Sequence, residues 1–273
     1  MNPPQAYPLG YSEQEARRLT EQGALLSAFT EDLLRRAGIA PGMRVLDIGC
    51  GVGDVSILVA QLIGPSGSIL GIDRAASSLD TAQRRAAALG LSGIRFQEAD
   101  LADFEPEQEF DALVGRLVLL YLKDAPAVLR RLCRCVRSGG IVAFQEFDMS
   151  QVSQVPASEL FRRVGGWILK AFEIGGARID ISTALYTTFL RAGLPPPRLV
   201  SGAAVTGGST GPGFEYMVDV LRSLLPLVVK GGLARPEEVG IDTLADRLRE
   251  DAVANERVTF FPRVVGAWSA VER

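Results

Sequence analysis

Apolar residues along the chain recur at two different spacings, and the spacing changes at regular intervals between residues 43 and 147. Short β-branched runs alternate there with stretches in which apolar residues return every three or four positions. The predicted strands are 44–48, 68–72, 94–98, 110–114 and 141–147, and the predicted helices are 55–62, 76–89 and 125–136. This alternation predicts an α/β, doubly wound, mostly parallel sheet with helices on both faces.

The flanking segments follow a different pattern. Before the alternating block, Ser12 and Glu15 form a capping-box pair that predicts one or two amphipathic helices up to Gly38. After the block, helices are predicted at 158–174, 181–192, 214–229 and 241–255, and strands at 198–204 and 258–269. The sequence therefore predicts seven strands in one sheet, with N-terminal helices and a helical insertion before the last strand.

Composition and charge narrow the class of protein. The 273 residues include 29 basic and 32 acidic side chains without a run of like charges, which argues against a nucleic-acid partner. No segment has the length and apolarity of a membrane span, and three cysteines do not make a disulfide framework, so we predict a cytoplasmic protein. Histidine is absent, which removes the commonest general base and metal ligand, and no metal is expected.

The stretch Val45–Asp54 connects the first strand of the block to a helix through a glycine-rich turn. Gly49, Gly51 and Gly53 allow a ligand to approach the backbone at a helix N-terminus, where N–H groups and the helix dipole are available. A dinucleotide fingerprint requires a glycine at the position of Asp54. The carboxylate weakens a pyrophosphate site and favours a ligand with a cationic or zwitterionic group.

Further motifs follow this turn in order. Gly71-Ile72-Asp73 ends the second strand with an acid, and Gln97–Leu101, Phe110–Arg116 and 132–140 follow in order along the chain. With V-L-D-I-G-C-G-V-G-D at the front, the block from 43 to 147 resembles the class I S-adenosylmethionine-dependent methyltransferases. It is also similar to the ubiquinone and menaquinone methyltransferases of that family.

This resemblance implies a Rossmann-like sheet whose last strand is antiparallel, with S-adenosyl-L-methionine as cofactor and S-adenosyl-L-homocysteine as product. By resemblance, Gly49 and Gly51 face the methionine part, Asp73 accepts from the ribose hydroxyls, and Asp100 with Leu101 holds the adenine. Gly115 and Arg116 close the methionine end, while Asp47 accepts from the cofactor ammonium or from the turn amides. The residues predicted to bind the cofactor are Asp47, Gly49, Cys50, Gly51, Asp73, Arg74, Asp100, Leu101, Gly115, Arg116 and Tyr11.

Methyl transfer requires a nucleophile in line with the methyl group and, for some acceptors, removal of a proton. Glu146 and Asp148, on one side of the fifth strand with Phe147 opposite, are candidates for the base or for orienting the substrate; the alternative is a pair of surface acids. Arg178 either binds an acidic substrate group or caps the preceding helix. The candidate substrate-binding residues are Phe147, Trp167, Arg178, Tyr186 and Phe214.

We predict methyl transfer to an O, N or C atom of a small molecule. Three lysines against 26 arginines suggest a GC-rich bacterial genome and a role in secondary metabolism. The alternatives are a quinone-type methyltransferase, a protein that binds S-adenosylmethionine without methylating, and an NAD-dependent oxidoreductase. A homodimer is left open.

Three parts of the chain are predicted, the last two within one domain. An N-terminal helical cap covers 1–42 and a cofactor-binding core covers 43–150. The substrate-binding helices, the last two strands and a Gly-rich lid insertion cover 151–273.

Overall fold

A seven-stranded sheet forms the centre of the computed structural model, which describes residues 8–10, 13–106, 108–149, 152–208 and 213–272. The strands are β1 (Arg44–Ile48), β2 (Ser68–Asp73), β3 (Ile94–Glu98), β4 (Phe110–Arg116), β5 (Val136–Asp148), β6 (Ser153–Val155), β7 (Arg198–Gly202), β8 (Val205–Gly207), β9 (Val258–Phe260) and β10 (Arg263–Ala270). The helices are α1 (Glu13–Ala37), α2 (Asp54–Ile63), α3 (Ala76–Ala88), α4 (Ala125–Leu132), α5 (Glu159–Ile174), α6 (Ile181–Ala192), α7 (Gly213–Lys230), α8 (Pro236–Val239) and α9 (Leu244–Ala254).

The strand order of the large sheet is β3-β2-β1-β4-β5-β10-β7. The first five strands are parallel, and β10 runs antiparallel to both of its neighbours. Helices α7, α8 and α9 precede β10 in the chain. The predicted fold is therefore confirmed, including the antiparallel last strand and the helical insertion. Because β1 to β5 are parallel, their carboxyl ends lie at one edge, where open α/β sheets bind ligands.

The core lies on both faces of this sheet. On one face, α1 approaches so closely that a Cβ atom on Gly266 of β10 would lie 2.8 Å from Leu33 Cδ1. On the other face, Phe189 of α6 packs edge-on against Phe144 of β5, with ring centroids 6.4 Å apart. The central strands are buried from both sides, which is why they read as nearly continuous apolar runs.

Two predicted boundaries are wrong. The third helix of the predicted block, which is α4, ends at Leu132, and β5 begins at Val136, so that Ser138-Gly139-Gly140 lies within the strand instead of closing a helix. A register shift between β4 and β5 near Phe110, with Gly139 at a φ of +73°, accommodates this early start.

The predicted last strand is divided into β9 and β10. The break falls at Phe261-Pro262, and Pro262 has no N–H to donate to a ladder. Strand β9 instead joins β6 and β8 in a three-stranded sheet that the sequence did not predict.

This small sheet has its polar face inward. Gln154 Nε2 donates to Thr259 Oγ1 at 2.8 Å, and both side chains are buried. The outward-facing residues, which are 37% to 59% exposed, are Val155, Val205, Val258 and Phe260. The alternation of polar and apolar residues along a strand therefore predicts that one face of the sheet is polar and the other apolar. It does not predict which of the two faces is buried.

Among the described residues, no helix combines the length and the apolar character that crossing a bilayer requires.

Candidate active site

A cavity of about 480 Å³ opens at the carboxyl edge of the large sheet. One side, which we call the motif wall, consists of the cavity-lining residues of the turn 49–54, of 73–74 and of 99–101. The other side, which we call the helical wall, consists of the cavity-lining residues of α1, α5 and α7, among them Gln22, Phe161, Phe172, Tyr216 and Met217. The volume is in the range of small-molecule sites.

The glycine turn presents its backbone to the cavity. Gly49, Gly51 and Gly53 have φ values of +64°, +53° and +85°, which L side chains rarely adopt. A Cβ atom on Gly49 would lie only 2.5 Å from Val118 Cγ2. Cys50, which also lines the cavity, is buried, and burial raises the pKa of its thiol. The turn therefore requires glycine for both conformation and space.

Asp73 joins the end of β2 to this turn. Its Oδ2 accepts from Gly51 N at 2.9 Å, and its Oδ1 accepts from Ala75 N at 2.9 Å. Each carboxylate oxygen can accept more than one hydrogen bond, so the half-buried carboxylate can also bind two neighbouring hydroxyls. Arg74, the next residue, lines the same cavity.

The loop after β3 completes the motif wall. Asp100 and Leu101 line the cavity, and Asp100 Oδ1 accepts from Ala102 N at 2.8 Å. The Arg131 guanidinium donates to the carbonyl oxygens of Leu101 and Phe104 and so supports the loop. Asp73, Asp100 and Leu101 are thus brought to one cavity, as the family resemblance implies.

The two aspartates of the stretch Val45–Asp54 are engaged by other groups of the protein. Asp47 is fully buried, does not line the cavity, and accepts from Ser56 Oγ at 2.6 Å. Burial raises the pKa of its carboxyl to about 7. Asp54 lines the cavity, but Arg85 Nη2 lies 2.7 Å from its Oδ1 and Arg116 Nη2 3.8 Å from its Oδ2. The structure therefore does not support their predicted role as partners of a cationic ligand.

Arg116 and Gly115 occupy different environments. Arg116 lines the cavity with a side chain that is 8% exposed, and its Nη1 donates to Thr30 Oγ1 at 3.1 Å. Gly115 lies behind the cavity, where a Cβ atom would be 2.6 Å from Phe144 Cε1. Arg116 can reach a ligand, whereas Gly115 provides room for packing.

The candidate bases lie away from the cavity. Glu146 is fully buried, and its Oε1 accepts from Val118 N at 3.1 Å and Leu119 N at 2.8 Å. Burial raises the pKa of its carboxyl to about 8. Asp148 is buried and pairs with Arg263 at 2.7 Å. Both acids share one side of β5 as predicted, but they are neither surface acids nor lining residues, and the structure gives no support to a catalytic role.

Of the candidate substrate-binding residues, Phe147 lines the cavity. Trp167 and Phe214 are buried in the core, whereas Tyr186 is 42% exposed. Arg178 has a side chain that is 38% exposed and lies 3.5 Å from Asp180. None of these four is among the lining residues of the cavity, so the structure does not support their predicted contact with substrate. Tyr11 and residues 209–212 of the predicted lid, which covers 207–213, lie outside the described residues.

The sequence analysis missed a polar cluster in the helical wall. Arg18 is buried and binds Glu15 through two hydrogen bonds of 2.6 and 2.8 Å. Gln22 Nε2 donates to the Tyr216 hydroxyl at 2.7 Å, and Arg18 Nη1 lies 3.5 Å from the same oxygen. Spacing along α1 places Glu15, Arg18 and Gln22 on one face, a signal that was available, but their partner lies 194 residues beyond Gln22.

Among the described residues, no group of three or more Cys, Asp or Glu side chains is arranged to hold a metal ion.

Comparisons with known proteins show similarity to methyltransferases. A family model described as "Methyltransferase domain" matches residues 39–168. Trans-aconitate 2-methyltransferase from Methylobacterium nodulans is 38% identical over 136 residues, covering 50% of this chain and 49% of that protein. A 2-phytyl-1,4-naphtoquinone methyltransferase from Synechococcus elongatus is 37% identical over 125 residues, covering 45% of this chain and 51% of that protein. The chain thus spans about half the length of these curated relatives.

The fold extends further than the sequence similarity. The crystal structure of YcgJ protein from Bacillus subtilis aligns with a TM-score of 0.57 at 15% identity, covering 90% of this chain and 99% of that chain. At this identity the match shows the fold alone. Residues 39–168 therefore match the methyltransferase domain family, and their motifs and strand order resemble those of the class I S-adenosylmethionine-dependent methyltransferases.

Proposed function

We propose that this chain transfers a methyl group from S-adenosylmethionine to a small organic acceptor. The observation that carries the proposal is that the motif residues and an apolar helical wall line the same cavity. One wall offers exposed backbone and carboxylates, and the other offers aromatic and aliphatic side chains. A nucleoside cofactor and an apolar acceptor require these two surfaces side by side.

The motif wall suits an adenosyl cofactor. Gly49 and Gly51 leave the turn without side chains, so a ligand can lie against the backbone. Asp73 is oriented by two amides to accept from neighbouring hydroxyls. Arg116, which lines the cavity outside the two named walls, is a planar donor suited to a carboxylate. When bound, the cofactor supplies a methyl group already activated on a sulfonium sulfur. The chain then contributes binding, orientation and exclusion of water.

The acceptor side lacks an evident general base. Glu146 and Asp148 are engaged elsewhere, and the chain has no histidine. Among the described residues, the cavity carboxylates belong to Asp54, Asp73 and Asp100, all on the motif wall. We therefore propose an acceptor that is nucleophilic without help, such as a carboxylate, a phenolate or an amine, carried on an apolar body that Phe161 and Phe172 can contact.

The substrates named for the relatives provide the first probes. Trans-aconitate is a carboxylate acceptor, and a naphthoquinol is an aromatic oxygen or carbon acceptor on an apolar body. The helical wall favours the second kind of molecule because most of its lining side chains are apolar. A role in bacterial secondary metabolism stays a prediction.

The direct test is formation of S-adenosylhomocysteine. The purified chain is incubated with S-adenosylmethionine and each acceptor, and both products are measured by mass spectrometry. We expect S-adenosylhomocysteine to form in step with a methylated acceptor. Binding of NAD without binding of S-adenosylmethionine, measured by calorimetry, would contradict the proposal.

Replacing Asp73 tests the assignment of the cofactor side. Asp73→Ala removes an acceptor of charged hydrogen bonds, so the affinity for S-adenosylhomocysteine should fall about 10-fold to 100-fold, equivalent to ~1–3 kcal/mol. Calorimetry measures the affinity, and Asp80→Ala, an exposed acid on α3, is the matched control. An unchanged affinity in Asp73→Ala would show that this carboxylate does not bind the ribose.

A further inference from the structure

Tyr216 is the polar side chain at which α1 and α7 meet inside the cavity. It is 9% exposed, and it lines the cavity together with Arg18 and Gln22. Leu19 of the same helical turn lies 3.9 Å from the position of a Cβ atom on Gly51. The Tyr216 cluster is therefore near the junction of the motif wall and the helical wall.

The Tyr216 hydroxyl oxygen accepts hydrogen bonds, and its own O–H group remains available to donate one. Gln22 Nε2 donates to it at 2.7 Å, and Arg18 Nη1 approaches it at 3.5 Å. A phenol oxygen that accepts from two N–H groups still has one O–H to donate. No described residue accepts a hydrogen bond from this hydroxyl. Burial raises the pKa of Tyr216, so the hydroxyl keeps its proton at neutral pH.

The charged groups around the Tyr216 hydroxyl determine which kind of acceptor it binds best. Arg18 Cζ lies 5.8 Å from the centroid of the Tyr216 ring, and the nearby Arg116 guanidinium also lines the cavity. The neighbours of Tyr216 on α7, Met217 and Val220, are apolar lining residues. Glu15 binds Arg18 and Asp54 lies 3.8 Å from Arg116, so the guanidinium groups are partly neutralised. A proton donor beside two guanidinium groups still binds an oxygen that carries negative charge more strongly than a neutral one.

We propose that Tyr216, oriented by Gln22 and Arg18, donates its hydroxyl proton to an anionic oxygen of the molecule bound in the cavity. This inference rests on the proposed function. The oxygen belongs either to the carboxylate of the cofactor's methionine part or to the methyl acceptor, as a carboxylate or phenolate. In either case Tyr216 is a recognition residue supplied by the helical insertion, outside the matched family domain.

The test compares ligands that differ in one group. Methylthioadenosine has the adenine and ribose without the amino-acid part, and S-adenosylhomocysteine adds the carboxylate. For the acceptor side, 2-naphthoate and 2-methylnaphthalene share an apolar body and differ in the carboxylate, and both are measured with S-adenosylhomocysteine at saturation. Calorimetry or naphthalene fluorescence gives each dissociation constant for the wild type and for Tyr216→Phe.

We expect Tyr216→Phe to bind methylthioadenosine as the wild type does. If the cofactor carboxylate is the partner, the affinity for S-adenosylhomocysteine should fall about tenfold or more. If the acceptor oxygen is the partner, that affinity stays unchanged and the wild-type preference for 2-naphthoate over 2-methylnaphthalene is lost. Gln22→Leu, which keeps the hydroxyl but removes the amide that orients it, should weaken the same ligand to a smaller extent.

Two results would overturn the inference. One is an equal loss of affinity for methylthioadenosine and S-adenosylhomocysteine, which would mean that Tyr216 only holds α1 and α7 together. The other is unchanged affinity for both nucleosides without any change in the naphthoate preference. Tyr186→Phe removes a hydroxyl that the structure places outside the cavity, and it controls for the loss of a phenol. Failure of the wild type to bind either nucleoside would instead refute the proposed function itself.

Discussion

The motif wall and the helical wall face one cavity but differ in how the chain builds them. The motif wall comes from 49–54, 73–74 and 99–101, and it presents backbone amides and carboxylates at the ends of parallel strands. The helical wall comes from α1, α5 and α7, whose residues lie up to about 200 positions apart, and it presents mainly apolar side chains. The first wall is specified by local turns and the second by helix packing.

This difference between the two walls explains which of them can change its ligand specificity by substitution. A backbone-lined turn tolerates few substitutions because both its conformation and its space are fixed, as at Gly49. A side-chain wall can change its shape and polarity by single substitutions without altering the sheet. We therefore expect mutations of the motif wall to weaken or abolish binding of the adenosine part of the cofactor. Mutations of the helical wall should instead affect stability and the recognition of the acceptor or of the cofactor's carboxylate.

The strongest test of this contrast is Gly49→Ala. The new methyl group would occupy a left-handed backbone position and clash with Val118, so we expect stability to fall by about 3 kcal/mol or more and nucleoside binding to be lost. Gly193→Ala is the matched control, since Gly193 has a φ of +87° with nothing within 4 Å of an added Cβ atom. Gly193→Ala should lower the free energy of unfolding by only about 1–2 kcal/mol and leave nucleoside binding intact. Urea unfolding and calorimetry measure both; equal costs would disprove the steric argument.

Phe172→Ala is expected to lower stability strongly while leaving nucleoside binding intact, in contrast to Gly49→Ala. Phe172 is 4% exposed and belongs to both the core and the helical wall. Its truncation should lower the free energy of unfolding by about 3 kcal/mol, while the folded protein binds methylthioadenosine normally. Phe172→Leu, which retains most of the apolar volume, should lose much less. A parallel loss of nucleoside affinity in Phe172→Ala would show that the two walls are not separable.

An effect that depends on pH is expected at the segment between the walls. The Glu146 carboxyl accepts from Val118 N and Leu119 N, and burial raises its pKa from 4.5 to about 8. Between these values the folded state holds a proton that the unfolded chain has released, so stability falls as the pH rises from about 4.5 to about 8. Glu146→Gln cannot titrate, and its stability should depend less on pH, by up to about 1.4 kcal/mol per pH unit.

This prediction is measured by urea unfolding at several pH values across that window. Asp47, whose pKa is raised to about 7, titrates equally in both proteins, so its contribution cancels in the comparison. Parallel curves for wild type and Glu146→Gln would show that Glu146 is ionised in the folded protein.

The sequence predicted the features that depend on local geometry. Alternation of strand and helix patterns predicted the parallel sheet, and the glycine spacing predicted the ligand turn, because backbone conformation and periodicity are set by neighbouring residues. The acids at the ends of β2 and β3 were placed correctly at the cavity, since parallel strands bring their carboxyl ends to one edge. The boundary of β5 was missed because a bulge depends on the partner strand.

The tertiary structure alone decided which polar groups face the ligand. Asp47, Glu146 and Asp148 have the sequence positions of site residues, but burial and their partners remove them from the cavity. Gln22 and Tyr216 show no relation in the sequence, yet their side chains meet at 2.7 Å. The physical reason is that the direction in which a side chain points follows from its local backbone conformation. The groups that surround the side chain, in contrast, depend on how distant helices pack against the sheet.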